Sequence, residues 1–358
     1  MKQRIIGFDL ARAYAVFGMY IVNYNTVFGS HSDSSLMSQF LSMFSGNSST
    51  VFVMLAGMGI ALMTNRDAYS PEEKKKLVGI ISKRSLFLFV VGLLLYTWWP
   101  ADILHYYGGY MHVAIFLIFI EKRYYLWVSA LIIVVFHVLL LVIPYETGWN
   151  FDTLEYLDFW TIEGFLRNTF YNGWNALFPW TAYFTVGMYL GRLDWNAFKI
   201  QKQVFGIGFL MFSSITILQT FSTQFITSKD LLFYINADYL PPFIPFMVST
   251  MGFGFMLIAF FMYIGIKVEN KEFAHDIAKI GQMTLTHYIS HLTIGMVLFA
   301  VLTDKQYVAK ISEQVPSNPF YILAFSLFYF VLSYYFSKIW RQKSKNGPFE
   351  TLMRRFSG

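Results

Sequence analysis

The sequence predicts an all-α, polytopic membrane protein with about ten transmembrane helices. Of its 358 residues, 56% are hydrophobic and 13% are charged, whereas a soluble chain carries about a quarter charged residues. Apolar runs of about twenty residues, the length that crosses the hydrocarbon core of a bilayer, recur from one end of the chain to the other. The predicted spans are about 9–28, 48–64, 84–99, 103–120, 125–143, 173–191, 203–220, 242–266, 282–302 and 319–338.

The distribution of basic residues predicts the orientation of these spans. If the N-terminus is cytoplasmic, the inner segments contain most of the Lys and Arg, whereas the outer segments contain Arg167, Lys229, Lys305 and Lys310. The positive-inside rule then places both termini in the cytoplasm. Most of the net charge of +6 therefore reflects membrane orientation, and no nucleic-acid partner is expected.

No soluble domain is predicted, and residues 1–358 are expected to form a single transmembrane helical domain. Its long outer loops, 144–172 and 221–241, can roof a cavity, and the first of them is expected to form an interfacial helix. The first span is interrupted by Arg12 and is too long for the apolar core of a removable signal peptide. The chain has no cysteine, which excludes disulfides, thiolate nucleophiles and Cys-ligated metals.

The first span, "FDLARAYAVFGMYIVNYN", keeps polar residues although a charge at membrane depth costs about 2.5–3.5 kcal/mol. Asp9 and Arg12 are three residues apart and share a helix face near the cytoplasmic surface. Asn23 follows on nearly the same face, and His31 lies beyond the outer end. The structural alternative to a functional site is an interfacial ion pair together with an amide that joins two helices.

In the fourth span, "ADILHYYGGYMHVAIF", four residues lie on one helical stripe because their spacings are three, four and three: Asp102, His105, Gly109 and His112. An acid beside a histidine at a helix start orients the imidazole ring and stabilises its charged form. The alternative is a capped helix start with Asp102 as the N-cap. His112 favours a functional interpretation, since nothing local requires a histidine at mid-depth.

In the ninth span, "GQMTLTHYISHLTIG", His287 and His291 are four residues apart on one face. A metal pair is disfavoured because no acidic residue lies between them, as it would in a His-Glu-x-x-His site. Histidines that face a hydrated cavity as proton acceptors, or that bond neighbouring helices, are favoured instead. Gly57 and Gly59 in the second span, "FVMLAGMGIAL", are expected to serve helix packing.

Several separated segments resemble the YeiB-type family of bacterial membrane proteins. The opening "RIIGFDLARAYAVFGMYIVNYN" resembles the family's Asp-x-x-Arg-Gly…Asn pattern, although Ala13 replaces the glycine. The tail "GPFETLMRR" resembles its closing Gly-Pro-x-Glu…Arg-Arg. Further segments resemble family motifs in the same order: "FVMLAGMGIAL", "ADILHYYGGYM", "FPWTAYFTVGMYLGR" and "IGQMTLTHYISH". The resemblance covers both ends and most spans, and it implies a location in the bacterial cytoplasmic (inner) membrane.

The YeiB-type family is distantly similar to heparan-α-glucosaminide N-acetyltransferase and to the membrane acyltransferases that modify bacterial polysaccharides. This similarity implies an acyltransferase that moves an acyl group from cytosolic acyl-CoA, with acetyl-CoA the expected donor, to an extracytoplasmic or membrane-embedded acceptor such as a sugar. No metal is expected. In these relatives a histidine near the end of the first span is catalytic. His31 falls a few residues nearer than that histidine, and Asn23 occupies its position in the polysaccharide enzymes.

The expected site combines this resemblance with the polar residues of the spans. His31, His105 and His291 are the candidates for a general base or a transient acyl carrier. Asp102 is expected to orient His105, and Asn23 to donate a hydrogen bond to the developing oxyanion. The expected acyl-CoA contacts are Asp9, Arg12, Lys83, Arg84 and Arg355. The residues expected to bind the acceptor or line its route are His112, His287 and Asn25.

The alternative function is a proton-coupled transporter, or a translocator of lipid or another small molecule. Buried His and Asp residues suit proton coupling, and Pro241, Pro242 and Pro245 can break the eighth span as prolines do in transporters. A sensor or structural subunit is a third option that no output domain supports. Membrane lipid is an expected partner, and the sequence leaves open whether the chain forms a homodimer.

Overall fold

The protein is helical apart from one short hairpin, in a computed structural model that describes residues 5–30, 33–66, 68–236, 238–305, 307 and 313–358. Asn168–Asn172 and His291–Gly295 are π-helical. The α-helices are α1 (Ile6–Phe28), α2 (Leu36–Ser42), α3 (Asn47–Met63), α4 (Pro71–Tyr96), α5 (Leu104–Ile115), α6 (Lys122–Val142), α7 (Ile162–Arg167), α8 (Leu177–Leu190), α9 (Phe198–Phe225), α10 (Lys229–Asn236), α11 (Ile244–Lys267), α12 (Glu272–Gly281), α13 (Thr284–Ser290), α14 (Met296–Leu302), α15 (Pro319–Lys343) and α16 (Pro348–Ser357).

Seven helical segments of the described chain are long and apolar enough to cross a membrane, and each overlaps a predicted span: Leu36–Met63, Pro71–Tyr96, Lys122–Val142, Phe198–Phe225, Ile244–Lys267, Thr284–Leu302 and Pro319–Lys343. The remaining predicted spans fall on α1, α5 and α8. Because α5 has 12 residues and α8 has 14, both are shorter than the roughly 20 residues of a full crossing. A multi-pass, all-helical membrane protein is confirmed, whereas ten spans and cytoplasmic termini stay predictions.

The contacts divide the chain into two compact units, and the first consists of Met1–Phe52, Trp195–Phe209 and Phe253–Leu352. Helix α1 packs against α12 and α15 in this unit. Glycines bring the helices close, since a Cβ on Gly281 would collide with the carbonyl oxygen of Asp9. The first unit therefore surrounds the polar residues of α1 with α12, α13 and α15.

The second unit consists of Val53–Asp194, Leu210–Gly252 and Met353–Gly358. Its closest helix pairs are α4 with α5 and α6 with α8. Arg192, which ends the "GMYLGR" motif, donates to the carbonyl oxygens of Thr64 (2.7 Å) and Ile118 (3.1 Å) and to the side chain of Asn65 (3.1 Å). This arginine therefore joins the ends of three segments through charge-assisted hydrogen bonds.

The loop 144–172 contains a hairpin where one interfacial helix was expected. Strand β1 (Trp149–Asn150) pairs antiparallel with β2 (Glu155–Tyr156), and the short α7 follows. Gly148, at φ +85°, begins the hairpin, in a conformation that suits glycine. The ion pair of Arg167 with Asp158 (2.6 Å) fixes α7 beside this turn, which explains why the segment does not continue as a single helix.

Asp276 on α12 is predicted to make the stability of the first unit depend on pH. Hydrogen bonds from Lys279 (2.5 Å) and Lys338 (2.6 Å) lower the pKa of this carboxyl from 3.8 to about 2. Because the folded pKa is below the unfolded one, the stabilisation is present above about pH 4 and is lost as the pH falls towards 2. Thermal unfolding of wild type and Asp276→Asn should differ at pH 6, with wild type more stable, and the difference should narrow below pH 4. A constant difference down to pH 3 would contradict this account.

Candidate functional site

A buried acid–histidine pair lies at the start of α5. The Oδ2 atom of Asp102 accepts hydrogen bonds from the backbone N–H groups of Leu104 (2.8 Å) and His105 (3.3 Å), and it lies 3.4 Å from Nδ1 of His105. Both side chains are fully buried. Asp102 therefore has both roles that the sequence suggested. It accepts from the N–H groups at the helix start, as a cap does, and it orients the imidazole of His105.

The pairing determines which imidazole nitrogen is available for chemistry. A carboxylate only accepts hydrogen bonds, so the neutral His105 carries its proton on Nδ1 and a lone pair on Nε2. Within the described chain, Nε2 of His105 is buried and has no hydrogen-bond partner. Nε2 of His137 is also buried without a partner in the described chain, so the feature that distinguishes His105 is the Asp102 carboxylate at its Nδ1. His105 is thus arranged as a base whose acceptor nitrogen is unoccupied.

Aromatic rings surround this imidazole. The ring of Tyr106 lies 3.8 Å from it, and the rings of Tyr96 and Phe159 lie 5.8 and 6.0 Å away, centroid to centroid. Tyr96 and Phe159 stack on each other at 3.6 Å. Phe159 belongs to the predicted outer loop, so the His105 pair and that loop lie together. The site is therefore at the end of the second unit that is predicted to face outward.

A network of amides and tyrosines continues from His105 into this loop. Tyr106 donates from its hydroxyl to Oδ1 of Asn168 (2.6 Å), while Nδ2 of Asn168 is buried without a partner in the described chain. Burial raises the pKa of Tyr156 to about 12, so its hydroxyl keeps its proton and donates to Asn172 (2.8 Å) while it accepts from Arg167 (2.9 Å). The unpaired amide of Asn168 is a second donor available to a ligand.

The sequence analysis missed Tyr106, Phe159 and Asn168. One signal was available, because Asn168 and Asn172 are four residues apart in "RNTFYN" and share a helix face in an otherwise aromatic segment. Asn168 also begins a π-helical segment. Such segments are rare and often occur at functional sites, but the sequence gives no sign of them.

A second buried pair joins α1 to the other π-helical segment in the first unit. Nδ2 of Asn23 lies 2.9 Å from Nε2 of His291, and Nδ1 of His291 lies 3.1 Å from the carbonyl oxygen of His287. The carbonyl requires a proton on Nδ1, so Nε2 accepts from the Asn23 amide. His291 is fully buried. Its basic nitrogen is therefore occupied, in contrast to that of His105.

The other predicted substrate-binding residues have separate surroundings within their own units. His287 exchanges a hydrogen bond with Ser337 (2.8 Å). His112 is exposed, 3.1 Å from the hydroxyl of Ser85, and Asn25 is half-buried. Among the described residues no group of three or more His, Cys, Asp or Glu is placed to hold a metal ion. His31 lies outside the described residues.

The predicted acyl-CoA contacts fall in both units. In the first, Asp9 is buried and accepts from Nε2 of Gln282 (3.0 Å), and the guanidinium of Arg12 lies 5.6 Å from the ring centroid of Phe8. In the second, Arg84 is half-buried and donates to Ser357 of α16 (3.4 Å). Lys83 and Arg355 are exposed, so the basic residues of the second unit offer a cationic surface.

The closing Gly-Pro-x-Glu motif has a structural role in the first unit. The buried carboxylate of Glu350 accepts from the backbone N–H groups of Leu285 (2.7 Å) and Thr286 (3.1 Å) and from the hydroxyl of Thr286 (2.5 Å). A carboxylate satisfies and stabilises the positive end of a helix. Glu350 thus fixes the start of α13, the helix that carries His287 and leads to His291.

Family models match both ends of the chain. The model described as "Heparan-alpha-glucosaminide N-acetyltransferase, catalytic" matches residues 4–235. The model described as "Protein of unknown function (DUF418)", which represents the YeiB-type family, matches residues 189–358. Comparison with curated proteins found no match. The two family matches confirm the resemblance that the sequence motifs indicated. The acetyltransferase match covers α1 to α9 and includes the Asp102–His105 pair.

Proposed function

This chain belongs to the family of the heparan-alpha-glucosaminide N-acetyltransferase catalytic domain, and we propose that it transfers an acetyl group from cytosolic acetyl-CoA to an extracytoplasmic sugar. The family is one of transmembrane acetyltransferases. The acceptor group in this proposal is the amine of a glucosamine unit or a sugar hydroxyl, and the location is a bacterial inner membrane. The observation that carries the proposal is the buried Asp102–His105 pair with its unoccupied Nε2.

In the proposed reaction His105 acts as the general base. The acceptor amine or hydroxyl attacks the thioester carbonyl, and Nε2 of His105 takes the proton that the acceptor loses. The Asp102 carboxylate stabilises the resulting imidazolium, in the way that an acid supports a catalytic histidine elsewhere. The carbon–sulfur bond breaks, and the departing CoA thiolate takes up the proton from the His105 imidazolium, which restores the neutral base. The unpaired amide of Asn168 is available to hold the acceptor.

The stack of Tyr96 on Phe159 covers His105, so the proposal requires these rings to part when the acceptor enters. His31 and His291 remain candidates for a transient acyl carrier, and Asn23 for the oxyanion donor. For His291 to act, the Asn23 amide has to release Nε2 first. This requirement ranks His105 ahead of His291 as the base.

The proposed CoA contacts are basic residues at the predicted cytoplasmic side. Arg84 donates to Ser357, and Lys83 and Arg355 are exposed. Arginine and lysine bind phosphates through charge-assisted hydrogen bonds. Arg12, near Asp9 on α1, is the corresponding candidate of the first unit.

Acetyl-CoA should raise the thermal unfolding midpoint of the detergent-purified protein. A ligand that binds only the folded state, at a hundred times its dissociation constant, adds about 2.7 kcal/mol. Arg84→Gln should weaken this shift, whereas Arg123→Gln, which removes an exposed charge paired with Glu121, should leave it unchanged. Free CoA and ATP serve as ligand controls. An equal shift with ATP, or none at millimolar acetyl-CoA, would contradict acetyl-CoA as the donor.

A proton-coupled transporter is the second candidate function. It is favoured by the buried imidazoles of His287 and His291, which bond to Ser337 and Asn23 inside the first unit. Ionisable groups inside a membrane segment commonly mark a proton or substrate path. Flux of a substrate into proteoliposomes that depends on a pH gradient and needs no acyl donor would favour this function over acetyl transfer.

A further inference from the structure

An apolar groove runs along the side of the first unit. It has a volume of about 400 Å³ and lies between α1, α11, α12 and α15. Its lining contains long aliphatic and aromatic side chains, among them Phe17, Phe261, Phe273, Leu327 and Phe330. Two of these lining residues, Phe273 and Leu327, are exposed. The groove is therefore apolar and open on the side that is expected to face lipid.

The face of α15 that lines the groove continues beyond it, from apolar to charged residues. On α15, Leu327, Phe330, Tyr334 and Lys338 follow at spacings of three and four and thus share a helix face. The eleven residues from Leu327 to Lys338 extend about 16 Å. This distance is close to half of the roughly 30 Å hydrocarbon core, which is the depth of one leaflet. The charged end lies towards the side predicted to be cytoplasmic.

The charged end contains two ammonium groups around one carboxylate. Lys279 and Lys338 bond to Asp276 at 2.5 and 2.6 Å, and the Tyr334 hydroxyl donates to the same carboxylate at 3.1 Å. An ammonium has three N–H donors, so each lysine keeps donors after binding Asp276. The side chains of Lys279 and Lys338 are 28% and 42% exposed, which leaves them accessible to a phosphate. The three charges sum to one excess positive charge.

We infer that this groove binds one acyl chain of an acidic phospholipid from the cytoplasmic leaflet, with the lipid phosphate on Lys338 and Lys279. The apolar wall matches a chain that reaches the midplane, and the excess positive charge matches an anionic headgroup. A zwitterionic lipid would bring its own cation beside the two lysines, which disfavours it. The inference concerns a lipid site in the first unit and does not depend on the proposed acetyl transfer.

The test compares lipids on delipidated, detergent-purified protein. Phosphatidylglycerol should raise Tm by about 5 °C near saturation, and phosphatidylcholine with the same chains should raise it clearly less. Lys338→Gln should remove most of the difference between the two lipids. Lys343→Gln, an exposed lysine farther along α15, is the matched charge control and should keep the difference.

A second variant tests the acyl chain. Leu327→Trp fills the groove from an exposed position and should reduce the effect of phosphatidylglycerol, whereas Leu332→Trp, exposed on α15 but outside the groove lining, should not. The inference would be overturned if the two lipids raised Tm equally, or if Lys338→Gln and Lys343→Gln reduced the difference between the lipids equally. It would also be overturned if phosphatidylglycerol raised the Tm of Leu327→Trp as much as that of wild type. A shift with palmitoyl-CoA and none with phosphatidylglycerol would also overturn it, because the groove would then hold the chain of an acyl donor.

Discussion

Replacing His105 by alanine is expected to lower kcat for acetyl transfer by about 10²–10⁴-fold, the usual contribution of a general base. In the described chain Nε2 of His105 has no hydrogen-bond partner, so the substitution removes a proton acceptor and the Nδ1 contact with Asp102, while the backbone N–H groups of residues 104 and 105 still bond to Asp102. Asp102→Asn should also lower kcat, since the amide does not stabilise an imidazolium. The rate can be followed as free CoA thiol with a thiol reagent, because the protein has no cysteine of its own.

His137→Ala is the matched control for this experiment. His137 is a half-buried histidine of α6 in the same unit, and its Nδ1 bonds to the carbonyl oxygen of Ile133 (2.8 Å). It should retain the wild-type rate. His31→Ala and His291→Ala belong in the same series. A wild-type rate in His105→Ala, together with inactivity of His31→Ala, would transfer the role of the base to His31.

Gly57→Val is expected to cause the largest loss of stability. In the second unit a Cβ on Gly57 would collide with the carbonyl oxygen of Phe184, and a Cβ on Gly187 would collide with that of Met54. The backbones of α3 and α8 thus touch at both glycines, as small residues permit at membrane helix crossings. Extra carbon atoms at a packed site cost about 1–3 kcal/mol or more, and here backbone atoms leave no room to adjust.

The measurement is the fraction of monodisperse protein in size-exclusion chromatography together with its thermal unfolding midpoint. Gly79→Ala on α4 is the control, because a Cβ there meets nothing within 4 Å. Alanine in a helix interior is favoured over glycine by about 1 kcal/mol, so Gly79→Ala should be as stable as wild type or more so. If Gly57→Val matched Gly79→Ala, the close crossing of α3 and α8 would be contradicted.

Local patterns predicted the parts of the site that are close in sequence. The three-residue spacing of Asp102 and His105 on a helix start was sufficient to predict their pairing, because helix geometry alone brings such residues together. The apolar runs likewise predicted the helices from local sequence alone, because the length and hydropathy of a run indicate a membrane helix. Gly57 was also predicted as a packing residue, although its partner Gly187 was not.

Contacts between distant segments could not be predicted from one sequence. Asn23 and His291 are separated by 268 positions, and no local pattern selects this pair from the other polar residues of the spans. The tail motif was recognised by resemblance, yet its role depends on the approach of Glu350 to the start of α13. The position of Asn168 in the site depends on how the outer loop packs. The hairpin depends on the left-handed backbone conformation of Gly148, and the periodicity of the sequence indicates neither.

The most direct test of the central claim is acetyl transfer by the intact protein in sealed proteoliposomes. Radiolabelled acetyl-CoA is supplied on one side of the membrane and glucosamine, the simplest acceptor of the proposed reaction, on the other. The account predicts labelled N-acetylglucosamine in the acceptor compartment for wild type and His137→Ala, and a loss of about 10²-fold or more for His105→Ala. Absence of labelled product and of CoA thiol release above protein-free vesicles, or equal product from wild type and His105→Ala, would contradict it.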